Sequence, residues 1–381
     1  MTIYYSVQGK LALSGGKAIC SYIPTPPLYL TMFISSGSEY NILIKNGQAW
    51  GWGYNTQGQI GDNTVTSRRT PVSILGTIKT FCKIGTGVAT SIVIDKNGQI
   101  WGWGFNYYGN IGDNTTTQRN TPVSILGAKK TFCSIDSSQH TIGIDKNGLV
   151  WGWGYNGYGQ LGNNSVTNKI TPVSILGVKK TFCSITTGQN HTMGIDNTGL
   201  VWGWGWNGYG QLGDNSKISK RTPVSILGAK KTFCSVVSGY GHSLGIDNTG
   251  LVWGWGYNGK GQLGDNSTVS KCTPVSILGA KKTFCVITSG DVHTIGIDKN
   301  GQVWCWGSNV NGQLGDNTIV QRNTPVSILG SKKTFCKISG QQHTLAIDKN
   351  GQLWSWGNNN KGELGDNTIN KKCTPIRVYN L

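Results

Sequence analysis

Five histidines, His140, His191, His242, His293 and His343, each stand 11 residues before the first tryptophan of a repeated unit. A circle of imidazoles suggests a metal, but zinc needs ring nitrogens about 2 Å away. One histidine per packed sheet, with sheets about 10 Å apart, cannot supply a chelate. Counting 11 back in the first two units reaches Glu39 and Thr90 instead. A hydrogen bond at the start of a strand fits these histidines better. Asp-Asn pairs recur at Asp62, Asp113, Asp214, Asp265, Asp316 and Asp366, where they suggest calcium. No twelve-residue loop ending in glutamate follows them, so side-chain-capped turns are expected. The sequence contains no nucleophile elbow, phosphate loop or metalloprotease helix. The 16 carboxylates sit mostly at fixed turn positions, so no isolated acid–base pair emerges. We therefore expect a non-enzymatic chain with no cofactor and no metal.

Binding is the remaining chemistry. The net charge is +18, which allows nucleic acid, an anionic surface or an acidic protein as partner. Lysine pairs recur at Lys129-Lys130, Lys179-Lys180, Lys230-Lys231, Lys281-Lys282 and Lys332-Lys333. Aromatic residues punctuate variable loops at Tyr107, Tyr108, Tyr158, Trp206, Tyr209 and Tyr240.

The element that positions all of these is Trp-Gly-Trp-Gly. It begins at Trp50 and recurs at Trp101, Trp151, Trp202, Trp253, Trp304 and Trp354, with spacings of 51, 50, 51, 51, 51 and 50 residues. Cys305 and Ser355 replace its first glycine in two copies. In a strand both tryptophans point to one face and both glycines to the other, so a ridge can fill a neighbouring groove. Burying one indole removes about 150–250 Å². At ~25 cal/mol/Å² that is roughly 4–6 kcal/mol gross, an upper bound for an extended reference chain. Fourteen of the 15 tryptophans lie in this element and read as core; Trp206 stands apart.

Each unit reads as four strands, A to D. In the third unit these are Thr131–Ile135, Thr141–Asp145, Leu149–Gly154 and Thr171–Leu176, with Asp145-Lys146-Asn147-Gly148 as the B–C turn. Strand D carries its proline at its start, where a missing N–H is tolerated. Seven such units are each too small to bury their own faces. The expectation is one all-β domain, a seven-bladed β-propeller of four-stranded antiparallel blades over residues 29–381. Residues 1–28 form an N-terminal extension, with a hairpin near Val7–Lys10, that serves as an attachment arm or as a closing strand. Six cysteines (Cys82, Cys133, Cys183, Cys234, Cys285 and Cys336) share one repeat position, too far apart for disulfides, and read as small buried hydrophobes. No spanning helix and no secretory signal are apparent.

The stretch Trp153-Gly154-Tyr155-Asn156, then Gly159-Gln160-Leu161-Gly162, preceded by His140, resembles the regulator of chromosome condensation repeat. The resemblance covers nearly the whole chain beyond residue 28. It implies the propeller fold, and for function either guanine-nucleotide exchange on a GTPase or a tryptophan-based photoreceptor. The chain departs from both. Its units carry no inserted wedge, and its A–B loops carry no tryptophan.

Alternating strand direction places the D–A connections and B–C turns on one face, and the A–B and C–D loops on the other. The lysine pairs ring the first face. The named aromatics, with Arg68-Arg69, Arg119, Lys169, Lys220-Arg221, Lys271, Arg322 and Lys371-Lys372, lie on the second. The expected function is a protein-binding scaffold. Alternatives are GTPase regulation and nucleic-acid binding through the basic surface. The close likeness among repeats suggests a bacterial or viral source and a cytoplasmic or virion-associated setting.

Overall fold

The computed structural model describes the backbone of residues 4–6, 9–14 and 17–19, and residues 32–378 apart from 76–79, 126–130, 177–179, 228–231, 278–282 and 330–333. Seven four-stranded antiparallel sheets follow one another along the chain. The A strand of each lies beside the A strand of the next, and that of the seventh beside that of the first, so the ring closes. Every blade holds its own four strands. Tyr4–Ser6, Gly9–Ser14 and Lys17–Ile19 pair as a separate small sheet that adds no strand to a blade, and Tyr4–Ser6 runs beside Phe284–Ser289, the A strand of blade 6. The first two of these form the expected hairpin, with Ser6 opposite Gly9.

In the third blade the strands are Phe132–Ser137, His140–Asp145, Val150–Gly154 and Lys169–Ser174. Strand D begins two residues earlier than expected because Lys169 pairs with Gly154 across a bulge. Pro172 consequently lies inside the strand. It is tolerated because D is the outer edge strand of the blade, where an N–H is dispensable.

Seven buried clusters lie between the blades. The one between blades 2 and 3 joins Ile92, Ile94, Ile100 and Ile125 to Phe132, Ile135 and Trp153, with Trp151 beside them. Both tryptophans of a blade thus face the preceding blade. The second of each pair is fully buried, whereas the first is half-buried. In six blades the first indole donates to an aspartate six residues earlier, as Trp151 does to Asp145 at 2.9 Å.

The expected filling of the groove needs correction. A side chain at Gly152 would strike Ile142 and Leu161 of its own blade, so the blade's own loop fills that groove. The neighbour's indole rests on the last glycine of Gly-Gln-Leu-Gly instead. Gly162, at φ +70°, would place a Cβ 2.9 Å from the Trp204 indole nitrogen. The cysteines also differ from expectation: Cys133 and Cys336 are exposed and the other four half-buried. They occupy a bulge in strand A, and the Cys82 thiol donates to the Ile94 carbonyl of strand B at 3.4 Å.

Candidate functional site

The C–D loops are held from within by one buried asparagine each. Asn156 accepts from Leu161 N at 2.9 Å and donates to Asn163 Oδ1, Ser165 O and Thr167 O. Asn55, Asn106, Asn207, Asn258, Asn309 and Asn359 do the same in their blades. Two positions are thereby presented on the loop face, the residue just before this asparagine and the residue two after it. The second packs on the first of the next blade. Tyr108 meets Tyr155 at 4.9 Å between ring centroids, Tyr158 meets Trp206 at 6.1 Å, and Tyr209 meets Tyr257 at 4.7 Å. Within blades, Phe105 meets Tyr108, Tyr155 meets Tyr158, and Trp206 meets Tyr209. Tyr107 stands edge-on to Tyr108 at 5.0 Å and is 69% exposed.

The result is a continuous arc of eight rings across blades 2 to 5. It contains Tyr107, Tyr108, Tyr158, Trp206 and Tyr209 from the sequence reading and adds Phe105, Tyr155 and Tyr257. Burial, followed by the neighbouring phenols of Tyr158 and Tyr108, pushes the Tyr155 hydroxyl up. Tyr240, 42% exposed, stands on the same face at the mouth of the central channel, outside the arc. In blades 6 and 7 the corresponding positions are Ser308, Asn311, Asn358 and Lys361; the Lys361 ammonium lies 5.4 Å from the Tyr54 ring. The face is thus aromatic on one side and polar on the other.

Much of the positive charge assigned to this face is internally neutralised. Arg68 pairs with Asp62 at 2.6 Å, Arg119 with Asp113 at 2.7 Å and Arg322 with Asp316 at 2.8 Å, while Lys220 and Lys271 lie 3.4 and 3.7 Å from Asp214 and Asp265. Burial pushes the Asp62 carboxyl up, but hydrogen bonds from Thr64 and Arg68 and the Arg68 charge outweigh it and hold it low. These aspartates also cap turns: Thr64 N and Oγ1 both donate to Asp62. Of the lysine pairs expected on the opposite face, Lys129, Lys130, Lys179, Lys230, Lys231, Lys281, Lys282, Lys332 and Lys333 lie outside the described residues. Lys180 is described; it is ion-paired to Asp196 at 3.1 Å and sits over the Trp202 ring.

The histidines are fully buried at the starts of the B strands of blades 3 to 7. Burial lowers each to about 3, so all five are neutral at pH 7. The bonds of His140, His191, His293 and His343 run between blades rather than within a loop, whereas neither ring nitrogen of His242 has a hydrogen-bond partner among the described residues. His140 Nε2 is 2.7 Å from Thr192 Oγ1, which itself donates to Gln160 O at 2.9 Å. His191 reaches Ser243 in the same way. In blade 1 the equivalent residue is Tyr40, not Glu39, since Tyr40 pairs with Gly53 as His140 pairs with Gly154. Ser91 of blade 2 donates to the Tyr40 hydroxyl at 3.0 Å. Among the described residues no group of histidine, cysteine and carboxylate side chains is arranged to hold a metal.

A closed seven-bladed ring whose blades are locked by these tryptophans, glycines and asparagines defines a propeller of chromosome-condensation-regulator repeats. The chain belongs to this family: residues 137–381 match the RCC1-like domain, and residues 46–94 and 97–142 match the regulator of chromosome condensation (RCC1) repeat. It is 24% identical over 298 residues to the ultraviolet-B receptor UVR8 of Arabidopsis thaliana, covering 77% of this chain and 56% of the receptor. It is 26% identical over 302 residues to the human E3 ubiquitin-protein ligase HERC2, of which it spans 5%. Among solved structures, human WBSCR16 superposes with a TM-score of 0.78 at 20% identity, covering 87% of this chain and 94% of that one. Yeast RCC1 (Prp20) bound to Kap60 superposes with a TM-score of 0.77 at 18% identity, covering 92% of this chain and 86% of that one. These structural likenesses establish the fold.

Proposed function

We infer that this chain is a protein-binding propeller that docks its partner on the aromatic arc. The observation that carries this is the arc itself: eight rings in contact, confined to blades 2 to 5 and set on loops that buried asparagines hold rigid. Aromatic anchors on a pre-organised surface lose little entropy on binding and dominate interface energetics. The family supports a protein as partner. Yeast Prp20p, of the same fold, is described with binding to Gsp1p and histones. Binding without catalysis is part of the proposal.

Regulation of a GTPase is the activity these comparisons favour over a purely structural scaffold. The repeats here are uniform in length, so any such activity would act through the arc rather than through an inserted wedge. A nucleic-acid partner has less to rest on, since the solved relatives are described with protein partners and Lys180 is ion-paired to Asp196. A virion- or tail-associated setting finds no support in the comparisons. Among the described residues no helix is long and apolar enough to cross a membrane.

The test compares proteins retained from the native source by the wild-type chain and by a Trp206→Ala, Tyr209→Ala double variant of unchanged thermal stability. Loss of a specific protein from the variant supports docking on the arc; an identical retained set removes it. Release of labelled GDP from small GTPases, with and without the chain, separates exchange activity from scaffolding.

A further inference from the structure

The central channel opens on the same face as the arc. Its upper part encloses about 320 Å³ and is lined by the inner strands and their A–B loops. The wall is rich in hydroxyls, among them Ser35, Thr86, Thr186, Thr288 and Ser339. Two ionisable carboxylates line it, Asp136 and Asp291, and no lysine, arginine or histidine does so among the described residues. This is unusual in a chain with 34 basic and 16 acidic residues. Twelve of those acids occupy the two repeating turn positions; Glu39, Asp136, Asp291 and Glu363 do not. Half of the off-pattern acids therefore face one small cavity.

Neither channel carboxylate has a cationic partner among the described residues. Asp136 Oδ2 accepts from Thr187 N at 2.7 Å and Thr187 Oγ1 at 3.2 Å, both neutral donors. Where Asp136 stands, blades 1, 4, 6 and 7 carry Ser35, Thr186, Thr288 and Ser339, all opposite the same rung of strand B. The carboxylate is thus not needed to build the blade. Burial pushes Asp136 up to about 6 against its hydrogen bonds, and pushes Asp291 up as well. An independent sign of an unfilled valence lies in the same wall. Ser36 is 4% exposed, lines the cavity, and its Oγ has no hydrogen-bond partner among the described residues.

We propose that the channel mouth binds an organic cation, a primary ammonium or guanidinium group, at Asp136, with wall hydroxyls accepting its remaining hydrogen bonds and Asp291 adding its charge from another blade. A carboxylate sunk in a low-dielectric wall without a counter-charge is costly, and a cation that reaches it relieves that cost. The volume is at the small end of ligand pockets, suited to one alkylammonium or one basic side chain. Anions are repelled by the two carboxylates. The cation is either a free amine or a lysine or arginine side chain carried by a docked protein. The site does not depend on the arc's being a docking surface.

The experiment is calorimetric titration of the full chain at low ionic strength with butylammonium, ethylguanidinium, the blocked peptide Gly-Lys-Gly and the neutral isostere butanol. The expected result is saturable binding of at least one cation, none of butanol, a tenfold or greater loss in Asp136→Asn and a smaller loss in Asp291→Asn. Binding of the small amine alone points to a free ligand; binding of the peptide as well points to a tethered side chain. Asp136→Ser, the residue blades 1 and 7 tolerate there, serves if the Asn variant misfolds. Absence of saturable binding by every cation, equal binding by butanol, or undiminished binding in the folded variants overturns the proposal.

Discussion

His343 of the last blade donates from Nε2 to Oδ1 of Asn41 in the first blade at 2.6 Å, across the seam where the two ends of the ring meet. Asn41 in turn donates from Nδ2 to the Glu363 carbonyl at 2.7 Å, which also accepts from the Trp52 indole at 2.8 Å. Every other blade junction is held by chain continuity as well as contact; this one is held by contact alone. Asn41→Leu, which leaves the buried imidazole unpartnered, is expected to cost about 1–3 kcal/mol. Thermal unfolding would show a lower midpoint for the variant, and hydrogen exchange would show earlier opening of blades 1 and 7 than of blade 4.

The ridge on the preceding loop sets a second expectation. Gly162→Ala forces a Cβ onto the Trp204 indole at a backbone angle that alanine avoids. It should destabilise more than Trp202→Phe, which affects the half-buried indole. Trp204→Ala should cost about 3–5 kcal/mol, as large aromatic truncations in a packed core do. Chemical denaturation of the three variants orders them.

Acid sensitivity follows from the buried histidines. Each is lowered to about 3 in the fold by burial and lies near 6.5 when unfolded. Between these values the unfolded chain binds more protons, so stability is full above about 6.5 and falls as pH drops toward 3. Each histidine contributes up to about 1.4 kcal/mol per pH unit in that window. His191→Gln should flatten the fall by one histidine's share when denaturation midpoints are measured from pH 7 to pH 4.

Asp136 has the opposite sign. Burial holds it at about 6, above the ordinary value near 4. The fold therefore retains a proton there that the unfolded chain loses. Stability from this group is fully present below about 4 and is lost as pH rises to about 6. Asp136→Asn should be at least as stable as the wild type at pH 7 and should lose no stability between pH 4 and 6 on this account. A variant less stable at pH 7 would show that the Thr187 bonds outweigh desolvation.

The periodic features were legible because each resides in a stretch of a few residues. Trp-Gly-Trp-Gly declares a strand with a ridge, Asp-Lys-Asn-Gly a turn, and seven copies a closed ring. Tyr40 was missed by counting because the first B–C turn is shorter. Asn46-Gly47 closes it in two residues, with Lys45 opposite Gln48, so a fixed offset from Trp50 lands on Glu39. Pairing of Arg68 with Asp62 was hidden in the same way, since a six-residue separation meets only once the loop doubles back.

From the order of residues alone came the number of blades, the strands within each and the residues that wedge them together, because these depend on neighbours a few positions apart. Tertiary structure decided that Tyr108 touches Tyr155, that Asp136 and Asp291 face one channel, and that His343 meets Asn41. Those partners belong to different blades. Their meeting depends on how one sheet is rotated against another, which no local pattern of side chains encodes.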